Sequence, residues 1–359
     1  MNRILLIGNG FDLAHGLKTS YSDFIDNFWD RQKNKVIASY EKQDAEYAFK
    51  FKDDVIRLHS NNFKNKSLLR TQEGYNWFAC FTSLKKDSDF DAPSYSGENR
   101  ILVKNSFLET ISKKKSIQNW VDVEVEYYIK LNECLQDKTG EGIKQLNDEF
   151  SKIKAALEKY LETQTEITVT KSPKIEQKIH NFIPGDPTDR KHARYNPEDF
   201  LYLNFNYTGT EKLYANPADK VIHIHGELNN PKNPIIFGYG DEIDEKYKLI
   251  EQENDNRYLE NIKSIKYSET GNYRKMLDFI GSDAYEVFVM GHSCGMSDRT
   301  LLHTLFEHDN CLSIKVFYNK REDGTDNHSD VVMNISRNFT RKSLMRERIV
   351  AKEDSEPLS

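Results

Sequence analysis

Short apolar runs and helical periods alternate along this chain. Ile4-Leu5-Leu6-Ile7 is a continuous apolar run stopped by Gly8-Asn9-Gly10, the pattern of a strand buried on both faces of a parallel sheet. Thr19-Ser20 followed by Asp23 marks a capped helix start, with Phe24, Phe28 and Trp29 leading toward Lys33. From residue 32 to residue 163 the chain reads mainly as helix. Ile143, Leu146, Phe150, Ile153, Leu157 and Tyr160 share one helical face, and Trp120, Tyr127, Leu131 and Cys134 share another. The serine-rich stretch 87–97 reads as a loop. Between residues 163 and 199, Pro173, Pro184, Pro187 and Pro197 interrupt any period, which predicts an irregular connector with a short hairpin around 167–169. Strand patterns return at 200–205, 221–225 and 235–237. A polar helical stretch covers 244–279, followed by a strand at 287–290, a helix at 298–307 and a strand at 314–318. The last few charged residues are expected to be loose.

This order predicts an α/β sheet split by an insertion. Its parts are a core of residues 1–30 plus 198–325, a mainly helical insertion with an irregular connector at 31–197, and a charged C-terminal segment at 326–359.

Composition narrows the class. Of the 359 residues, 37% are apolar and 30% charged, enough apolar surface for a folded core. A net charge of −6 with no long basic block argues against a general nucleic-acid binder. Cys80, Cys134, Cys294 and Cys311 form no Cys-x-x-Cys pair, so neither a zinc module nor a secreted disulfide framework is expected. The first apolar run is too short for a signal peptide. No apolar stretch approaches the roughly 18 residues of a membrane span, which predicts a cytoplasmic protein.

The candidate chemistry sits at strand ends. Gly8-x-Gly10, with Gly16 beyond, lets a backbone turn sharply and approach a diphosphate. Asp12 is an unfavourable neighbour for a diphosphate; it suits a helix cap or ribose hydroxyls. In Val221-Ile222-His223-Ile224-His225-Gly226, strand alternation puts His223 and His225 on one face, with His225 nearer the carboxyl end. His223 reads as a buried, hydrogen-bonded residue. The pair could also chelate a metal, but no third ligand is evident. Gly291-His292-Ser293-Cys294-Gly295 follows a strand and fits G-x-S-x-G, so a serine nucleophile is a competing reading. Ser297 and Asp298 are expected to cap the next helix. Glu124 lies on an apolar helical face, either bonded structurally or aimed into a site.

Four of these segments together resemble the sirtuin superfamily. Gly8, Gly10, Gly16 and Leu17 fall in register with its G-A-G-x-S turn, with Asn9 in place of the alanine and Asp12 in place of the serine. Asn206 and Tyr207 match its T-x-N-[IY]-D segment, with Thr208 in place of the aspartate. His225-Gly226 matches the end of the catalytic-histidine strand, Gly291-His292-Ser293 the G-T-S turn, and Asn319 a strand-terminal asparagine. The resemblance implies a sirtuin-like Rossmann parallel sheet with a large helical insertion. It implies NAD as substrate or ligand, with Asn206 and His225 catalytic and Gly8, Asn9, Gly10, Asp12, Gly291, Ser293 and Asn319 on the dinucleotide.

The opening I-G-N-G-F-D-L-A-H-G-L-x-T-S-Y-x-D-F is similar to the start of the AbiH family of bacterial abortive phage-infection proteins. Phe205-Asn206-Tyr207-Thr208, His223-x-His225-Gly226, Gly291-His292-Ser293 and Asn119-Trp120-x-Asp122-x-Glu124 also resemble it. That likeness implies antiphage defence with an unknown phage-derived trigger, and leaves a homo-oligomer open. The expected reaction is NAD⁺ glycohydrolysis. Two alternatives stand beside it: a non-catalytic nucleotide sensor, and a metal-dependent hydrolase or nuclease using Asp12, Glu124, His223 and His225.

Overall fold

A computed structural model describes residues 1–43, 49–60, 99–137, 139–180 and 197–359. The chain begins with β1 (Asn2–Ile7), α1 (Asn9–Ala14) and α2 (Tyr21–Gln43). Next come β2 (Phe49–Lys52), β3 (Ile56–Ser60), β4 (Asn99–Val103), α3 (Ser106–Lys113), α4 (Trp120–Cys134), α5 (Glu141–Thr165) and α6 (Pro173–His180). The remainder is β5 (Phe200–Asn204), β6 (Lys220–His223), α7 (Glu245–Gln252), α8 (Lys263–Lys266), α9 (Asn272–Ser282), β7 (Tyr285–Met290), α10 (Arg299–Glu307), β8 (Cys311–Tyr318), α11 (His328–Asn338), α12 (Lys342–Arg348) and β9 (Glu356–Pro357). The chain divides into two compact units. One is Met1–Thr19, Tyr127–Ile143 and Glu158–Ser359; the other is Ser20–Glu126 and Lys144–Leu157.

The first unit holds a six-stranded sheet in the order β6-β5-β1-β7-β8-β9, with every neighbouring pair parallel. Counted along the chain, these strands stand 3-2-1-4-5-6, the Rossmann order. Alternate residues divide between two apolar layers, as the pleat requires. Ile4, Leu6, Leu201, Leu203, Val287, Val289, Ile314 and Val316 face one layer with Met276 and Phe279 of α9, Leu302 and Leu305 of α10 and Ile335 of α11. Leu5, Ile7, Tyr202, Phe288 and Met290 face the other, with Phe11 of α1 and Ile175 and Ile179 of α6.

In the second unit, Asn105 caps α3: its Oδ1 accepts from Leu108 N–H at 2.6 Å, and its Nδ2 donates to Glu149 O of α5 at 2.9 Å. Trp29 Nε1 donates to Ser112 Oγ at 3.0 Å. Asp122 organises the start of α4, accepting from the backbone N–H of Gln118 and of Asn119 at 2.9 Å.

Several expectations fail locally. The stretch read as mainly helix contains an antiparallel three-stranded sheet, β2-β3-β4. The connector is not wholly irregular: α6 forms because Pro173 opens it, where a missing N–H costs nothing. The expected hairpin at 167–169 is absent. Residues 235–237 form no strand; Ile236 N–H reaches only His225 O, at 2.6 Å. The stretch 244–279 is broken into α7, α8, short 3₁₀ turns and the start of α9. The C-terminal residues are tied down: β9 pairs with β8, and Leu358 N–H donates to Tyr318 O at 2.8 Å. The loop read at 87–97, and Cys80, Pro184 and Pro187, lie outside the described residues.

One buried ion pair crosses the sheet. Arg3 of β1 sits opposite Glu286 of β7, with Nε and Nη2 at 2.7 and 2.6 Å from Glu286 Oε1. Its guanidinium lies 4.1 Å from the Phe288 ring centroid and donates to Ile179 O of α6. Arg3→Met alone leaves a buried carboxylate unpaired and is expected to destabilise by about 3–5 kcal/mol in urea denaturation. Arg3→Met with Glu286→Leu is expected to recover most of that loss. A double variant as unstable as the single one contradicts the pairing.

Candidate functional site

Six parallel strands put all their carboxyl ends at one edge, and the strand order reverses between β1 and β7. There β1 runs into Gly8-Asn9-Gly10, β5 into Phe205-Asn206, β6 into Ile224-His225 and β7 into Gly291-His292.

The first and fourth turns touch backbone to backbone. Gly10 N–H donates to Gly291 O at 2.9 Å, and Gly8 N–H to Met290 O at 3.2 Å. A Cβ on Gly8 would lie 2.4 Å from His292 Cα, and one on Gly291 would lie 2.2 Å from Phe11 N. Gly291 also has φ +79°, which disfavours any side chain. These three glycines therefore have a structural reason to be glycine, turn-on-turn approach, apart from any ligand. Asn9 opens α1 and is half-buried.

Asn206 is fixed on that contact. Its Nδ2 donates to Gly8 O at 2.9 Å, and its backbone N–H to Asn204 Oδ1 at 2.7 Å. Asp12 does not cap a helix. It lies inside α1, is 1% exposed, and accepts from Thr208 Oγ1 at 2.5 Å through Oδ2. Its Oδ1 has no hydrogen-bond partner among the described residues. Burial raises the Asp12 pKa to about 6; Thr208, Thr210 and Asn206 pull it down, and the Glu211 charge pushes it further up. Asp12 and Thr208, two of the positions at which the chain departs from the sirtuin pattern, are thus bonded to each other.

From Thr208 the network continues inward. Asn204 Nδ2 donates to Thr208 O at 3.0 Å and to Glu211 Oε2 at 2.6 Å. His223 Nε2 lies 2.9 Å from Glu211 Oε1. Because β6 ends at His223, strand alternation does not carry on to His225, and the two histidines bond different carboxylates.

His225 belongs to a second buried cluster. Its Nε2 lies 3.1 Å from both Asp298 Oδ1 and Tyr267 OH. Lys263 Nζ is 2.8 Å from the same Asp298 oxygen, and His292 Nε2 is 3.6 Å from Oδ2. Cys294 N–H donates to His292 Nδ1 at 3.0 Å. Phe205 sits against both rings, with centroids 5.0 Å from His225 and 4.2 Å from His292. Burial, then the Lys263 ammonium, pushes His225 down to about 4 against the pull of Asp298. Although burial opposes it, Lys263, His225 and His292 hold the Asp298 carboxyl well below the usual range. Asp298, expected to cap α10, makes no side-chain cap, and Ser297 Oγ is buried without a partner among the described residues.

Ser293 and Asn319 follow β7 and β8 with exposed side chains, and their backbone groups bond to α11 and the residue before it rather than to the clusters at this edge. Ser293 O accepts from Asn334 Nδ2 at 2.9 Å, and Asn319 N–H donates to Asn327 Oδ1 at 2.6 Å. Glu124 belongs to the second unit, where it is buried and partnered. Lys263 and Tyr267 were not legible in advance: they fall in a polar stretch whose spacing singles out no residue. Among the described residues, no three His, Cys, Asp or Glu side chains group so as to hold a metal ion, and no helix is long and apolar enough to cross a membrane.

Sheet order and carboxyl edge define a Rossmann-like α/β protein. The family model described as bacteriophage abortive infection AbiH matches residues 4–320, from β1 past the end of β8, and the chain belongs to the AbiH family. Its role is accordingly in phage abortive infection. No curated protein and no solved structure matches the chain.

Asp12 and His225 leave opposite marks on stability. The Asp12 pKa is raised in the folded state, so its contribution is present below pH 3.8 and lost as pH rises through about 6. The His225 pKa is depressed, so its contribution is present above pH 6.5 and lost as pH falls through about 4. Asp12→Asn keeps an acceptor for Thr208 and removes the buried charge. It is expected to be more stable than wild type at pH 7.5 by on the order of 2–3 kcal/mol, at roughly 1.4 kcal/mol per pKa unit. That gain is expected to vanish below pH 4. A difference that stays constant from pH 4 to pH 8 in denaturant titrations contradicts a raised Asp12.

Proposed function

We propose that the chain is an NAD⁺ glycohydrolase acting in abortive infection, with its site at the carboxyl edge where the strand order reverses. One observation carries this reading: Asn206 is locked on Gly8 at that edge, beside the Asp12–Thr208 pair. Open α/β sheets bind ligands at such edges. The sirtuin pattern has a hydroxyl at position 12 and a carboxylate at 208; here the carboxylate is at 12 and the hydroxyl at 208. Here the two side chains are bonded to each other; with no carboxylate at 208, the exchange favours the second reading, a nucleotide sensor without turnover.

The chemistry fits a site of this kind. Nicotinamide leaves from a cationic ring, so little acid catalysis is needed. As the ribose C1′–nitrogen bond breaks, its electron pair neutralises the pyridinium and C1′ takes on oxocarbenium character. Asp12, with its unpaired Oδ1, supplies an acceptor for a ribose hydroxyl or an anion for the developing positive charge. Asn206 orients ribose and water. Water forms the new C1′–oxygen bond and gives its proton to His225, whose lowered pKa leaves it unprotonated at neutral pH. The products are nicotinamide, ADP-ribose and a proton.

Nicotinamide release from NAD⁺ is the direct test. Wild-type protein is expected to release it, and Asn206→Ala and His225→Ala each to lose at least about 100-fold in kcat/KM while still folded. NAD⁺ binding without turnover makes the chain a sensor and overturns the enzymatic reading. Activity that appears only with added divalent metal overturns it in favour of a metal-dependent hydrolase.

A further inference from the structure

The buried cluster around Asp298 contains one carboxylate and three groups able to carry a positive charge: Lys263, His225 and His292. Asp298 lies at 4% exposure, Lys263 at 1%, His225 at 5% and His292 at 6%. Only one cation can be balanced by one carboxylate, and a second would stand uncompensated out of water. Lys263 makes the shortest of the three contacts with Asp298, at 2.8 Å against 3.1 Å for His225 and 3.6 Å for His292. Lysine is also the strongest base of the three, so the positive charge belongs on its ammonium.

This fixes the proton positions. An ionised Asp298 can only accept, so the His225 nitrogen facing it, Nε2, carries the hydrogen. His292 Nδ1 takes the Cys294 N–H and so carries none; its hydrogen is on Nε2, toward Asp298 Oδ2. Tyr267 OH, also 3.1 Å from His225 Nε2, then shares that hydrogen as a second acceptor. Phe205 closes the space between the two imidazoles.

We propose that Asp298 is a positioning residue. It takes the Nε2–H of His225 while Lys263 holds the balancing charge, so that His225 presents a bare Nδ1 as the base of the site. The inference rests on reading His225 as that base. It assigns Asp298 and Lys263 roles that neither a helix cap nor a surface ion pair would have. Burial and the ammonium agree with it, since both push His225 toward its neutral form.

The test reads the imidazole directly, independently of turnover. Long-range ¹H–¹⁵N spectra of histidine-labelled full-length protein, with His225 assigned from its loss in His225→Gln, report which ring nitrogen is protonated. Wild-type protein is expected to show the Nε2–H tautomer of a neutral ring from pH 6 to pH 8. Lys263→Met removes the ammonium and frees Asp298 to pair with an imidazolium. It is expected to move the His225 midpoint upward by at least about one pH unit. A wild-type ring protonated on Nδ1, an imidazolium at pH 7, or an unmoved midpoint in folded Lys263→Met overturns the proposal. If nicotinamide is released, Asp298→Asn is expected to lower kcat by about 10²–10⁴-fold with KM little changed. A KM effect alone overturns the positioning role. The expected tautomer without any nicotinamide release sustains the dyad and sinks only the glycohydrolase reading.

Discussion

The backbone-to-backbone contact between the turn after β1 and the turn after β7 is the constraint on which the rest of this edge depends. Gly8, Gly10 and Gly291 have no side chains because there is no room: added Cβ atoms would lie 2.2–2.9 Å from backbone atoms of the opposite turn. Two strands parallel and adjacent in the sheet, but far apart in sequence, are thereby held at a fixed separation where the strand order reverses. The Asn206 side chain then bridges a third strand end to Gly8 O, so the proposed site is anchored directly on the contact between the two turns.

On that frame sit two buried polar clusters of different character. Around Asp12 and Glu211 the groups are acidic and neutral, and the structure tolerates the carboxylates through hydroxyl, amide and imidazole donors. Around Asp298 the positive charge of Lys263 is present and satisfied. Burying such groups is costly unless each is paired. The price is met here by donors from the end of β5 and the segment after it, the end of β6 and the turn after it, α8 and the turn after β7. The first cluster suits a sugar and its hydroxyls; the second suits a neutral base held at one angle.

Much of the sheet was legible in the sequence because its strands are buried on both faces and read as apolar runs: Ile4–Ile7, Leu201–Leu203 and Val287–Met290 unbroken, and Ile314–Phe317 interrupted only by Lys315. The strands of the second unit are short and lie among helical periods, although Phe49-Lys50-Phe51-Lys52 and Ile56-Arg57-Leu58 carry the alternating pattern of strands. Pro173 interrupts the helical period in the sequence yet occupies a first helical position, where proline is tolerated. Ile235–Phe237 misled because burial alone does not make a strand; the segment packs against the turn that Gly226, at φ +89°, creates. The glycine turns, Asn206 and His225 could be singled out because each stands at a strand end. Which groups pair with which could not be read: Asp12 and Thr208 lie 196 residues apart, and Lys263 and Asp298 lie 35 apart across broken helices.

We propose that this carboxyl edge receives a dinucleotide, a binding that amide hydrogen exchange with and without NAD⁺ reads segment by segment. Slowed exchange is expected in segments 8–12, 204–208, 223–226 and 291–293 alone. Unchanged exchange at saturating NAD⁺, or slowing only in other parts of the chain, contradicts it.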